Sequence, residues 1–115
     1  MDIHREGRSA RYSQCVRFNE CIETSGIVAR DPSQDIAEQT RDVLEQLEAV
    51  LDLAGADKTR LVRVQIWLAD MAEFDAMNRI YDAWVDPEHP PARACVGAAL
   101  ADSRYRLEIQ ASAVA

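Results

Sequence analysis

Lysine is nearly missing from this 115-residue chain: Lys58 is the only one, and histidine (His4, His89) and cysteine (Cys15, Cys21, Cys95) are almost as scarce. The three cysteines form an odd set with no C-x-x-C pair, and neither histidine stands at metal-ligand spacing from them. That argues against a disulfide framework or a zinc site, and no metal is expected. Positive charge is thin as well, with 13 basic against 20 acidic residues and a net charge of -7. The arginines are scattered rather than gathered into a basic run, so nucleic acid is not an expected partner. No apolar run approaches the roughly 18 residues of a membrane span, and the opening "MDIHREGRSARYSQ" has no signal-peptide core. A soluble, cytoplasmic protein with reduced thiols and no membrane partner is expected.

What is present is enough apolar material for one core. Hydrophobic residues make up 48% of the chain, and neither a repeat nor a low-complexity linker interrupts it, so residues 1–115 read as a single domain. "RYSQCVRFNECIETSG" reads as two short strands joined at Asn19-Glu20, with Gly26 allowing a sharp exit. Beyond Asp31-Pro32-Ser33, apolar side chains at Ile36, Val43, Leu44, Leu47, Val50, Leu51 and Ala54 follow helical spacing, and Gly55 supplies a C-terminal stop. In "LVRVQIWLAD" the period changes to two: Val62, Val64, Ile66 and Leu68 alternate with Arg63, Gln65 and Trp67. Asp70 and Glu73 have capping-box spacing before a second helical stripe of Phe74, Met77, Ile80, Tyr81 and Trp84.

Two more strands, residues 92–99 and 104–114, are expected as a hairpin around Ala101-Asp102-Ser103. In the last strand Tyr105, Leu107, Ile109, Ala111 and Ala113 point one way, and Arg106, Glu108, Gln110 and Ser112 the other. A hairpin centred between Ala101 and Asp102 would set Cys95 opposite Glu108 and Arg93 opposite Gln110, making Arg93 and Glu108 diagonal neighbours on one face. The order strand, strand, helix, strand, helix, strand, strand predicts an α+β domain with both helices on one face of the sheet. The other face would carry Trp67, Cys95, Gly97 and Arg93, which calls for cover by further subunits.

Five segments, in order, carry a family resemblance: "ARYSQCV", "TSG", "DIAEQTRDVLEQLEAVLDLAGAD", "WLADMAEFDAMNRIYDAWV" and "HPPARACVGAAL…YRLEIQASAV". Together they resemble the Rid or YjgF-like (RidA) family of reactive-intermediate deaminases along almost the whole chain, most specifically in P-x-R-x-x-V and the late E-I. The resemblance implies a chorismate-mutase-like fold, a homotrimer with clefts between subunits, and hydrolysis of 2-imino acids, in equilibrium with enamines such as 2-aminoacrylate, to 2-keto acids and ammonia. It also implies that Arg93 holds the carboxylate of a small-molecule substrate and that Glu108 orients a water. Tyr12, backbone groups beside Cys95, and Ser25-Gly26 would line the cleft. Two departures stand out. Ala94 follows Arg93 where serine or threonine is common, and "SGIVA" replaces the expected "SGQIP".

The chemistry agrees with these residue types. A guanidinium grips a carboxylate with a planar fork and thereby fixes the adjacent C2 carbon. A protonated imine is already electrophilic, so one carboxylate aimed at one water suffices, and no cofactor is called for. Bland readings stand beside the functional ones. Arg93 can be a structural ion-pair partner of Glu108, Glu108 a solvated strand residue, Tyr12 a packing group, and Cys95 a small buried residue with no histidine to activate it. The alternative function is a non-catalytic trimeric binder of small carboxylates or 2-keto acids, acting as a metabolite sensor or partner protein. Ribonuclease chemistry is disfavoured by the charge.

Overall fold

The computed structural model describes residues 1–115. Its secondary structure follows the periodicities closely. Strands β1 (Ile3–Glu6), β2 (Cys15–Phe18) and β3 (Cys21–Thr24) precede helix α1 (Ile36–Leu53). Strand β4 (Leu61–Leu68), helix α2 (Phe74–Trp84) and strands β5 (Ala92–Gly97) and β6 (Leu107–Val114) complete the domain. The six strands form one mixed sheet in the order β1-β2-β3-β6-β4-β5. The β2–β3 hairpin at Asn19-Glu20 matches expectation, with Phe18 paired to Cys21, whereas β1, added antiparallel at the edge, was not foreseen. Its four residues are all exposed, so no apolar alternation announces it.

Both helices lie on one face of the sheet, and the molecule is only 20 Å through its thinnest dimension, the depth of one sheet and one helix layer. The α1 stripe of Val43, Leu44, Leu47 and Leu51 is buried against β-sheet residues Ile22, Val64, Ile66, Leu68, Ile109 and Ala111. Asp35 caps the start of α1 through the Glu38 amide. Its end is a Schellman turn, in which Ala56 N–H donates to Leu51 O (2.8 Å) and Gly55 N–H to Asp52 O (3.1 Å). Gly55 has φ +88°, where a side chain would be strained. The expected capping box takes another form. Asp70 caps a short 3-10 turn, Met71–Glu73, through the Ala72 amide, and Glu73 turns away to pair with Arg106 at 3.1 Å.

Two strand expectations are overturned. Residues 92–97 and 107–114 do not form a hairpin, because β4 lies between them, parallel to β5 and antiparallel to β6. The cause is the β4–α2–β5 unit: a helical crossover returns the chain parallel to the strand it left, and the nine-residue segment 98–106 then carries it past β4 to the far side. The register consequently moves every face assignment in β5. Arg93, Cys95 and Gly97 pair with Val64, Ile66 and Leu68, so they stand on the helix side, not on the open face. Trp67 remains on the open face with Glu108 and Val96 as its cross-strand neighbours. The second change is a bulge between Leu61 and Arg63, which sends Leu61 into the core and leaves Val62 half exposed.

One buried polar side chain fastens the loops at the end of the sheet. Gln39, fully buried in α1, places Nε2 within hydrogen-bond distance of the carbonyls of Gln34 (2.9 Å), Arg104 (3.0 Å) and Pro32 (3.1 Å), and Oε1 accepts from the Arg106 amide at 2.9 Å. The amide thus ties the segment before α1 to the segment before β6. Gln39→Leu keeps the bulk but strands these backbone groups, and is expected to cost about 2 kcal/mol or more. Urea denaturation measures it; a midpoint equal to the parent's would show that Gln39 contributes nothing to holding the loops.

Candidate functional site

The expected site residues fall into two groups on opposite sides of the sheet. On the helix side, Arg93 leaves β5 and lies along α2. Residues 74, 78 and 81 share one face of that helix by their spacing, and all three meet the guanidinium. Asn78 Oδ1 accepts from Arg93 Nη1 at 2.7 Å, and the guanidinium carbon lies 4.7 Å from the Tyr81 ring centre and 5.9 Å from that of Phe74. No acidic side chain reaches Arg93: its single side-chain hydrogen bond is the one to neutral Asn78. An arginine carries five N–H donors, so most of this half-buried cation is without a protein acceptor. Cys95, two residues on, packs against the core from the same side. Burial raises its thiol pKa, with the Arg93 charge acting in the opposite direction, so it is held as a thiol rather than a thiolate nucleophile.

On the open face, Glu108 stands half-buried on β6 between Trp67 of β4 and the chain segment that follows β3. That segment is drawn in by a small irregularity. Regular β3–β6 pairing ends at Glu23 and Ser112 and resumes at the isolated bridge between Ile27 and Ile109, with amide bonds of 2.8 and 3.0 Å. Three residues, Thr24 to Gly26, therefore face two on β6. Thr24 stands in for the missing ladder, its Oγ1 accepting from the Ala111 amide at 3.0 Å. The extra residue brings Gly26 against Glu108 so closely that a Cβ built on Gly26 would lie 2.0 Å from Glu108 Oε2. Gly26 is needed here for approach, since a side chain would displace the carboxylate.

The remaining expected residues continue from there. Ser25 Oγ donates to the Ser13 carbonyl and the Ser25 amide to Gln14 O at 2.9 Å, so the Tyr12 segment is bound to the Gly26 segment. Tyr12 itself closes a turn, its carbonyl accepting from the Ser9 amide at 2.8 Å, and the residue is 59% exposed. Tyr12, Ser25, Gly26 and Glu108 thus form one group, and Arg93 and Cys95 another. Arg93 and Glu108 do not form an ion pair within the chain, so Arg93 is not the structural ion-pair partner of Glu108 there. The sequence reasoning missed Asn78, Phe74 and Tyr81 as companions of Arg93. Their 74-78-81 spacing signals a shared helix face, but the apolar stripe by itself points Phe74 and Tyr81 only to the core. No cluster of His, Cys, Asp and Glu side chains in the chain has metal-ligating geometry.

Comparison with known proteins places these features in a family. Residues 3–115 match the family model Ribonuc_L-PSP, described as Endoribonuclease L-PSP. The RutC family protein YoaB of Escherichia coli is 38% identical over 110 residues, spanning 96% of both chains. A 2-iminobutanoate/2-iminopropanoate deaminase of Rattus norvegicus is 35% identical over 109 residues, covering 90% of this chain and 79% of the relative. Among solved structures, NMB1025 of Neisseria meningitidis, a member of the YjgF protein family, superposes with a TM-score of 0.96 at 43% identity over 99% of this chain and 95% of its own. With that agreement extending from β1 to the last residue of the chain, the protein belongs to the Ribonuc_L-PSP family, also known as YjgF or RidA.

Proposed function

We propose that the protein hydrolyses 2-imino acids and their enamine tautomers, such as 2-aminoacrylate, to 2-keto acids and ammonia, in clefts between the subunits of a homotrimer. The observation that carries this reading is an unpaired cation and an apposed carboxylate on opposite sides of one sheet. Arg93 has free donors, and Glu108 is held against Gly26. Within one chain they cannot act on one small molecule. Between copies they can, if the α2–β5 side of one subunit approaches the open-face group of the next.

The open face itself asks for cover. Ile3, Phe18, Cys21, Val16 and Val114 share it by register with Trp67 and Val96, and Ile3 and Val96 are 49% and 47% exposed. Apolar rows of this kind are rarely left in water. The rat deaminase relative supports the reaction class. The acidic net charge gives no support to nuclease chemistry, despite the family model's description.

In the proposed reaction the Arg93 fork grips the substrate carboxylate and fixes C2, with Asn78 occupying one donor and leaving the rest for the ligand. Glu108 accepts a proton from one water as the water oxygen bonds to C2 of the protonated imine, giving a carbinolamine. Glu108 returns its proton to the nitrogen, the C–N bond breaks with its electron pair leaving on ammonia, and the C2 hydroxyl passes its own proton to that ammonia, so that the C2 oxygen becomes the ketone and the nitrogen departs as ammonium. The enamine enters after protonation at C3. The role of Gly26 is to let the Glu108 carboxylate lie flat against the backbone.

Five outcomes test this. Light scattering at micromolar concentration is expected to give about three times the 12.9 kDa chain mass, and a monomer would end the composite-cleft model. For the chemistry, imino acids generated in situ by an amino-acid oxidase should disappear faster than in buffer. Glu108→Gln is expected to cut that rate about 10²-fold while leaving 2-keto acid binding by calorimetry nearly intact. Arg93→Lys, which keeps the charge but loses the fork, should weaken binding and turnover together, by roughly tenfold or more. Binding by the parent without any acceleration would favour the non-catalytic carboxylate binder. Finally, Gly26→Ala should leave the thermal midpoint near the parent's, because the clash is with a flexible side-chain tip, yet lower turnover as the carboxylate is pushed aside; full activity in that variant would show that the position of the Glu108 carboxylate does not matter.

A further inference from the structure

We propose that Tyr81 is a positioning residue of this protein: its ring is the platform that fixes the plane of the Arg93 guanidinium and so presets the fork that receives a carboxylate. The inference rests on the deaminase reading for its consequence in catalysis, but not for the contact itself. Of the two aromatic rings near Arg93, that of Tyr81 is closer, with its centroid 4.7 Å from the guanidinium carbon against 5.9 Å for Phe74. A planar cation at this distance over a ring is attracted by the ring's quadrupole, and stacking on that face would hold its plane while leaving its edges open.

A platform must itself be rigid, and this one is. Tyr81 is 5% exposed and sits within the core cluster. Its ring packs at a 50° tilt against Trp84, centroids 5.9 Å apart. Trp84 is in turn braced by Lys58, whose ammonium lies 5.3 Å from the indole centre, donates to the Trp84 carbonyl at 2.6 Å and reaches Glu48 of α1 at 3.6 Å. The single lysine of the sequence therefore ends a stack, Lys58–Trp84–Tyr81–Arg93, that runs from α1 to the edge strand. Burial keeps the phenol neutral by raising its pKa, against the opposing effect of the Arg93 charge, so Arg93 meets a ring face and not a counter-ion. Asn78 alone fixes one nitrogen and leaves rotation about that bond free; the ring below removes the rotation. The physical consequence is affinity gained without a new contact to the ligand, because the fork need not be ordered at the moment of binding.

The test compares Tyr81→Phe, which keeps the platform, with Tyr81→Leu, which removes it. Nitrogen-15 NMR of the arginine side chains, with the Arg93 signals assigned by their loss in Arg93→Lys, reads the restraint without any ligand. Ring-shifted, slowly rotating Arg93 signals are expected in the parent and in Tyr81→Phe, and averaged, unshifted ones in Tyr81→Leu. Calorimetry with 2-oxobutanoate should then show affinity falling roughly 2- to 30-fold in Tyr81→Leu and within twofold of the parent in Tyr81→Phe. In the Arg93→Lys background the leucine substitution should add almost nothing, a coupling that a general loss of stability would not produce. Unchanged Arg93 signals in Tyr81→Leu, or an equal affinity loss in both backgrounds, would overturn the role of Tyr81. Restrained Arg93 signals lost only in Tyr81→Leu, in a protein that accelerates no imine hydrolysis, would keep the positioning role and reject the deaminase.

Discussion

The ladder that β4 makes with β6 on one side and β5 on the other decides on which face Arg93 and Glu108 stand. Because side chains alternate along a strand, aligning Val64 with Arg93 and Trp67 with Glu108 commits those two residues to opposite faces. A slip of one residue in β5 would put Arg93 on the open face and take it away from α2 altogether. The apolar residues Val64, Ile66 and Leu68 hold that register, since all three are fully buried under the helices. The packing of the core and the separation of Arg93 from Glu108 are thus one fact.

Helix α2 serves both the core and the candidate site. Its Met77 is fully buried, while Phe74, Asn78 and Tyr81 turn toward Arg93 from an adjoining strip of the same surface. Strand β6 divides its work similarly: Leu107, Ile109, Ala111 and Ala113 go inward, and Glu108 goes out. Neither element could lose its apolar stripe without misplacing a polar partner.

The sequence made much of this legible. Periodicity alone separated helix from strand over α1, β4, α2 and β6, because each buries a continuous stripe against the core. It failed where burial leaves no stripe. The exposed residues of β1 have no apolar rhythm, and the bulge at Leu61 shifts a phase that Val62 had suggested. Partner choice was also beyond reach. Residues 107–113 satisfy the same alternation against β4 as they would against β5, so sequence nearness favoured a hairpin that the helical crossover forbids. A motif singles out Arg93 and Glu108 as candidates, but their separation depends on strand order, and the Asn78 and Tyr81 contacts depend on it in turn. The approach of Gly26 to Glu108 was likewise hidden, since it arises from a three-against-two mismatch between strands distant in sequence.

Alternation along β5 has one more result. Arg93 and Cys95 face the helices, whereas Ala92, Ala94 and Val96 face the other way and are exposed in the single chain. Ala94 therefore sits beside the arginine in sequence but behind it in space. A change at one of the outward positions therefore leaves the inward arginine and its contacts with α2 untouched. A single six-residue strand offers two surfaces that can diverge independently.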